Sequence, residues 1–150
     1  MKEPLKLLLV DDDSSFAFLA RSALEMAVSP ETPYTLTVLE DGQYAVDYIL
    51  GNGEYADRAR HPLPHLVLLD QRMNLMDGAD VLRELKGHEV ARSIPMCIMS
   101  TSDQAKQKQK SYELGATFCI TKPLKLEDLA AKMKLIVEFA TDVLELQRIG

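Results

Sequence analysis

Cysteine is scarce in this chain: Cys97 and Cys119 are its only two. Both sit inside short apolar stretches. Each reads as a small buried apolar residue in a reducing compartment, not as half of a disulfide framework. Long apolar runs are also missing. None approaches the roughly 20 residues needed to span a bilayer. The opening Met1-Lys2-Glu3-Pro4 has a basic residue but no apolar stretch of signal-peptide length. A cytoplasmic location is therefore expected. There is no basic excess either, and a net charge of -6 argues against a general nucleic-acid surface. The sequence shows no internal repeat and no low-complexity segment, and no DNA-binding output domain is expected.

What is present is ordinary for a globular protein: 150 residues, 27% charged and 47% hydrophobic. That length fits one domain with a real core, and 1–150 is expected to be a single domain. Strand-like and helix-like patterns alternate along it. Lys6 to Val10, Tyr34 to Leu39, Leu66 to Leu69, Met96 to Met99 and Phe118 to Ile120 are short apolar or β-rich runs. Between them lie helical patterns. The first is capped by Ser14 or Ser15 and carries a stripe of Phe16, Leu19, Ala20, Ala23, Leu24 and Ala27. The others run from Asp41-Gly42 to Leu50, from Gly78 to Lys86, from Asp103 to Leu114, and from Leu126 to about Gln147. Gly51 to Pro64 is a polar loop. Continuous apolar strands alternating with helices mean a parallel sheet covered on both faces. The expected fold class is α/β, a doubly wound, flavodoxin-like five-stranded sheet of order 2-1-3-4-5.

Each apolar run ends on chemically useful groups: Asp11-Asp12-Asp13, Asp70, Ser100-Thr101-Ser102, and Thr121-Lys122-Pro123. In such a sheet the strand C-ends share one rim, where ligands bind. Asp11, Asp12 and Asp70 gathered there would repel and raise each other's pKa. A hard divalent cation resolves that, and magnesium is held by one or two carboxylates plus phosphate oxygens. Magnesium, Lys122 and the Ser100 hydroxyl suit the charge of a phosphoryl group in transfer, and a carboxylate can be its nucleophile. Taken singly, each motif has a plainer reading as a turn or a cap. Asp77 reads as an N-cap, and His61, His65 and His88 as loop or surface residues.

Leu9-Val10-Asp11-Asp12, Leu68-Leu69-Asp70, Met76-Asp77-Gly78, Ser100 and Lys122-Pro123 together resemble the receiver domains of bacterial two-component response regulators. The resemblance spans residues 5 to about 140. It implies that Asp70 is a phosphoacceptor served by a sensor histidine kinase or a phosphotransfer protein. It implies magnesium on Asp12, Asp70 and the Arg72 backbone carbonyl, with Asp11 acting largely through water. Ser100 would be the switch hydroxyl, Lys122 would pair with phosphate, and the Lys122-Pro123 bond would be cis. The chain is similar to stand-alone regulators that serve phytochrome-type kinases. Such a module is not an enzyme in the ordinary sense, although it takes part in its own phosphotransfer and dephosphorylation. Three positions depart from the pattern. Asn74 replaces a usual proline. Cys119 stands where a rotameric aromatic is often found. Arg72 lies two residues past the phosphoacceptor, where side chains tune the lifetime of the acyl phosphate.

Two other functions compete. A haloacid-dehalogenase-like phosphatase also uses a strand-end aspartate, magnesium, a hydroxyl and a lysine, but it would need Asp13 and has no role for Asp70. A degenerate receiver would act only as a binding scaffold. The polar helix from Asp103 is expected to be the mobile element. The last helix carries a core stripe of Leu126, Leu129, Ala130, Met133, Ile136, Val137, Ala140 and Leu144. Leu135, Phe139 and Leu146 fall on its other side, which predicts a homodimer through that face.

Overall fold

The structure is a computed structural model. It describes residues 3–101 and 105–149, with only the backbone at 105 and 146–149. Five strands alternate with helices in the order β1 (Leu5–Val10), α1 (Ser14–Ala27), β2 (Tyr34–Leu39), α2 (Gly42–Leu50), β3 (Leu66–Asp70), α3 (Gly78–Leu85), a short α4 (Glu89–Arg92), β4 (Met96–Ser100), α5 (Ala105–Glu113), β5 (Phe118–Thr121) and α6 (Leu126–Ile149). All strand pairs are parallel and the sheet order is β2-β1-β3-β4-β5. This is the doubly wound arrangement that the alternating pattern predicts.

Strand side chains alternate between the two sheet faces, so every strand feeds two cores. Leu7, Leu9, Leu68, Cys97 and Met99 meet α1 and α6, where Phe16, Leu24, Leu129 and Met133 cover them. Leu8, Val10, Val67, Leu69 and Ile98 meet α2 and α3, through Val46, Ile49, Val81, Leu82 and Leu85. The expected α1 and α6 stripes both face the first of these cores, with Leu19, Ala27, Leu126 and Leu144 at its margin.

Local chemistry sets the helix ends. Asp13, not Ser14 or Ser15, caps α1: its carboxylate accepts from the Ser15 and Phe16 backbone N–H groups. A carboxylate also complements the positive end of the helix dipole, which a serine hydroxyl does less well. Asp41 caps α2 in the same way. Asp77 caps α3 in a reciprocal box with Asp80. At the far end of α2, Gly51 adopts φ +73. There the Arg58 guanidinium donates to the Tyr48 and Ile49 carbonyls. Arg58 thus ties the 51–64 loop down, and that loop contains a 3-10 turn at Gly53–Ala56. His61 in the same loop packs edge-on against Tyr48 and Tyr55.

Gly78 is where α3 comes closest to the strand that ends on Asp70. A Cβ there would lie 2.8 Å from the Asp70 carbonyl oxygen and 3.2 Å from the Gln71 Cα, both backbone atoms. Backbone cannot swing aside as a side chain can. Gly78→Ala should therefore destabilise the fold by about 1–3 kcal/mol. A lowered urea midpoint with an unchanged slope checks this, and an unchanged midpoint refutes it.

Two expectations need correction here. The Lys122–Pro123 peptide is trans, as there is no cis bond among the described residues; trans is the lower-energy isomer by about 0.5–1 kcal/mol. Phe139 does not lie on the open side of α6. Its ring packs edge-to-face on Phe118, with centroids 4.7 Å apart, because β5 ends the sheet and its first residue flanks the helix. Leu135 does face outward, at 68% exposure. The Leu146 side chain lies outside the described residues.

Candidate functional site

Three strand ends and one helix start build the site. Asp11 follows β1, and its N–H extends the ladder by donating to the Leu39 carbonyl. Asp70 closes β3, and the next N–H, of Gln71, donates to the Met99 carbonyl. Lys122 follows β5, and its N–H donates to the Ser100 carbonyl. Each functional residue is thus one step from a hydrogen-bonded strand, which fixes its direction.

Carboxylate oxygens of Asp11, Asp12 and Asp70 all lie within 4.8 Å of one another. Asp11 and Asp70 are buried and Asp12 is exposed. The Lys122 ammonium sits 2.8 Å from Asp11 Oδ2 and 3.6 Å from Asp70 Oδ2, and it is itself buried. Three carboxylates thus face one ammonium. Burial, and then the charge of Asp11, push the Asp70 carboxyl up to about 6. Lys122 and the Arg72 backbone N–H act against that rise.

The donor set fits a hard divalent cation. Oxygen ligands of formal negative charge converge from three residues, as magnesium or manganese requires. Buried Asp11 Oδ2 has no aligned hydrogen bond, and the Lys122 ammonium is its counter-charge. The carboxylates are therefore under-neutralised, and further positive charge is favoured there.

Other site residues fall around this cluster. Asn74 contributes through its backbone: its N–H donates to Asp12 Oδ2 at 3.2 Å. A proline at that position has no N–H to give. Leu75 after it has φ +66 and is 99% exposed, and the Met76 N–H bonds back to the Asn74 carbonyl in a tight turn. Arg72 follows Asp70 with an exposed side chain. Ser100 is buried at the end of β4 and lines a small cleft beneath α5 with Gln71, Ser111 and Cys119.

Cys119 is only half-buried, contrary to its strand pattern, because β5 is an edge strand under thin cover from α5. Among the described α5 side chains Ser111 is the buried one. Cys97 is fully buried on the opposite sheet face, and burial pushes its thiol up to about 12. Asp13, which a phosphatase reading needs for catalysis, is instead engaged in capping α1. Phe16 was legible only as a core residue. Its ring centroid in fact lies 4.2 Å from the Lys122 ammonium. The available signal was an aromatic in the first helical turn after a strand-end acidic run.

Residues 7–134 match the response regulator receiver domain. The chain belongs to the response regulator receiver family. Receiver domains take phosphoryl groups from histidine kinases, and the acidic cluster fits that chemistry. Response regulator Rcp1 of Synechocystis is 31% identical over 136 residues, covering 91% of this chain and 88% of that protein. The probable methanogenesis regulatory protein FilR2 of Methanothrix harundinacea is 31% identical over 140 residues, covering 92% and 84%. Among solved structures, phosphorylated RcpA, a cyanobacterial phytochrome response regulator, superposes with a TM-score of 0.82 at 33% identity, covering 93% of this receiver and 95% of RcpA. The manganese-bound form of Rcp1 gives 0.76 at 31% identity, covering 91% and 94%. The receiver is thus similar to phytochrome response regulators, as its motifs suggest. Among the described residues no helix is long and apolar enough to cross a membrane.

Proposed function

We propose that Asp70 is the phosphoacceptor of this receiver, charged by a sensor histidine kinase or a phosphotransfer protein, and that its phosphorylation switches a protein-interaction surface in the cytoplasm. One observation carries the reading: the Asp11, Asp12 and Asp70 carboxylates converge within 4.8 Å, with the Lys122 ammonium against two of them. An Asp70 oxygen attacks the phosphorus of a phosphohistidine. The O–P bond forms, the N–P bond breaks, and the imidazole leaves with that electron pair and takes up a proton. Asp12, Asp70 and the Arg72 carbonyl would hold magnesium, with Asp11 acting through water, and the bound ion would supply positive charge for the phosphoryl oxygens. Lys122 pairs with one of those oxygens and the Ser100 hydroxyl with another. The Arg72 guanidinium lies over the acyl phosphate and slows its hydrolysis. The protein's own share in catalysis is limited to this transfer and to slow dephosphorylation by water. Incubation with a small phosphoramidate and magnesium, followed by mass spectrometry, tests the reading. Phosphate on Asp70 is the expected result, and phosphate elsewhere refutes it.

The output is a protein contact and not a nucleic-acid one, in keeping with the net charge of -6. We include a homodimer through the outer flank of α6, supported by Leu135 at 68% exposure. A helix of 24 residues runs about 36 Å, against about 17 Å for a five-residue strand, so its last turns reach past the sheet. Phe139 is committed to Phe118, which makes Leu135→Glu the cleaner probe. Sedimentation at micromolar concentration should show a dimer that Leu135→Glu weakens at least tenfold. A monomer with and without phosphate defeats the dimer.

A further inference from the structure

The Lys122 ammonium has more around it than its two carboxylates. Its third neighbour is the face of Phe16, with the ring centroid 4.2 Å from Nζ. The ring is 3% exposed. Its place is set by the helix cap: Asp13 Oδ1 accepts from the Phe16 N–H, so the residue that starts α1 also aims the ring. The ammonium is therefore shared among three neighbours, the Asp11 and Asp70 carboxylates and an aromatic ring.

A leucine could fill the same apolar volume, but it offers an ammonium nothing. An aromatic ring carries a quadrupole with a negative face, which attracts a cation, most strongly where water is excluded. That attraction is nearly indifferent to small lateral shifts, unlike a hydrogen bond. It suits an ammonium that must leave a carboxylate pair and follow a phosphoryl oxygen arriving on Asp70.

We propose that Phe16 is a positioning residue for phosphoryl transfer: its ring face holds the Lys122 ammonium over Asp70 and stays its partner as the ammonium passes from carboxylate to phosphoryl oxygen. The proposal rests on the reading of Asp70 as phosphoacceptor. Phe16 touches neither phosphoryl group nor metal and acts only through Lys122.

The test separates ring electronics from packing. Phenylalanine at position 16 is replaced by its mono-, di- and trifluorinated analogues, which keep the shape and progressively weaken the negative face. The initial rate of Asp70 labelling by a phosphoramidate with magnesium is measured for each. The rate should fall stepwise, reaching about tenfold at the trifluorinated ring, a factor in line with a desolvated cation–π contact. Phe16→Leu should fall by a similar factor. The Lys122 Cε protons, shifted upfield by the ring, should lose that shift in Phe16→Leu and keep it in the fluorinated set. A flat rate across the fluorinated series, with wild type labelled normally, overturns the proposal alone. No label on Asp70 in wild type overturns the phosphoacceptor reading and this proposal with it.

Discussion

Asp70→Asn should take up no phosphate under conditions that label the wild type on Asp70. The expected change is complete loss within detection, the largest of any single substitution here. An amide nitrogen or oxygen at the same place keeps the shape but lacks the charge that attacks phosphorus and helps hold a divalent cation. Asp70 is buried and closes β3, so the substitution leaves the strand ladder intact. Asp12→Ala should fail differently. It keeps the nucleophile and loses cation affinity, so raising magnesium should restore part of the rate. In the same assay Arg72→Ala should shorten the life of the phosphorylated form, since its exposed side chain stands two residues after Asp70 in the chain. A half-life equal to wild type makes Arg72 a bystander. Normal labelling of Asp70→Asn moves the phosphoacceptor elsewhere.

The same substitution should also stabilise the protein at neutral pH in the absence of divalent cation. The folded Asp70 carboxyl titrates near 6, against about 3.9 for an unfolded aspartate. Between those values the native state holds a proton that the unfolded chain has released. Stability therefore falls as pH rises through that window and stays lowered above it. At roughly 1.4 kcal/mol per unit, and with part of the shift shared with Asp11 and screened by water, the cost at pH 7.5 is on the order of 1–2 kcal/mol. Asp70→Asn removes that cost, so its Tm should exceed wild type by roughly 3–6 °C at pH 7.5. The difference should shrink to well under 1 kcal/mol near pH 4, where the folded carboxyl is protonated and the unfolded one is about half protonated. Magnesium at about a hundred times its Kd should add nearly 3 kcal/mol to wild type at pH 7.5 and much less to Asp70→Asn. Thermal scans at the two pH values, with chelator and with magnesium, decide it. Coincident melting of both proteins at pH 7.5 with chelator refutes the account.

Strand-end residues were easy to read because a parallel sheet with apolar strands leaves few places for polar groups. Leu66 to Leu69, short and bounded by Pro64 and a polar loop, reads as a buried strand, and Asp70 then stands at its end. The two core stripes of α1 and α6 follow in the same way from a period of 3.6 residues. Capping was read less well. Asp13 and Ser14 are both competent N-caps, and periodicity alone places a helix start no better than within a residue or two.

The sequence by itself determined the fold class, the single rim where Asp11, Asp12, Asp70, Ser100 and Lys122 gather, and the stripe that α6 turns to the sheet. All of these follow from local periodicity and from which residue ends each apolar run. Only the tertiary structure decided the contacts between segments far apart in the chain. The Phe16 ring met Lys122, 106 residues away, and the Asn74 N–H met Asp12, 62 residues away. Arg58 reached back over the end of α2, and Phe139 turned onto Phe118 instead of into water. Such pairings depend on the distances and angles between packed elements. Those are set by the summed shape of the core and not by any local pattern of residues.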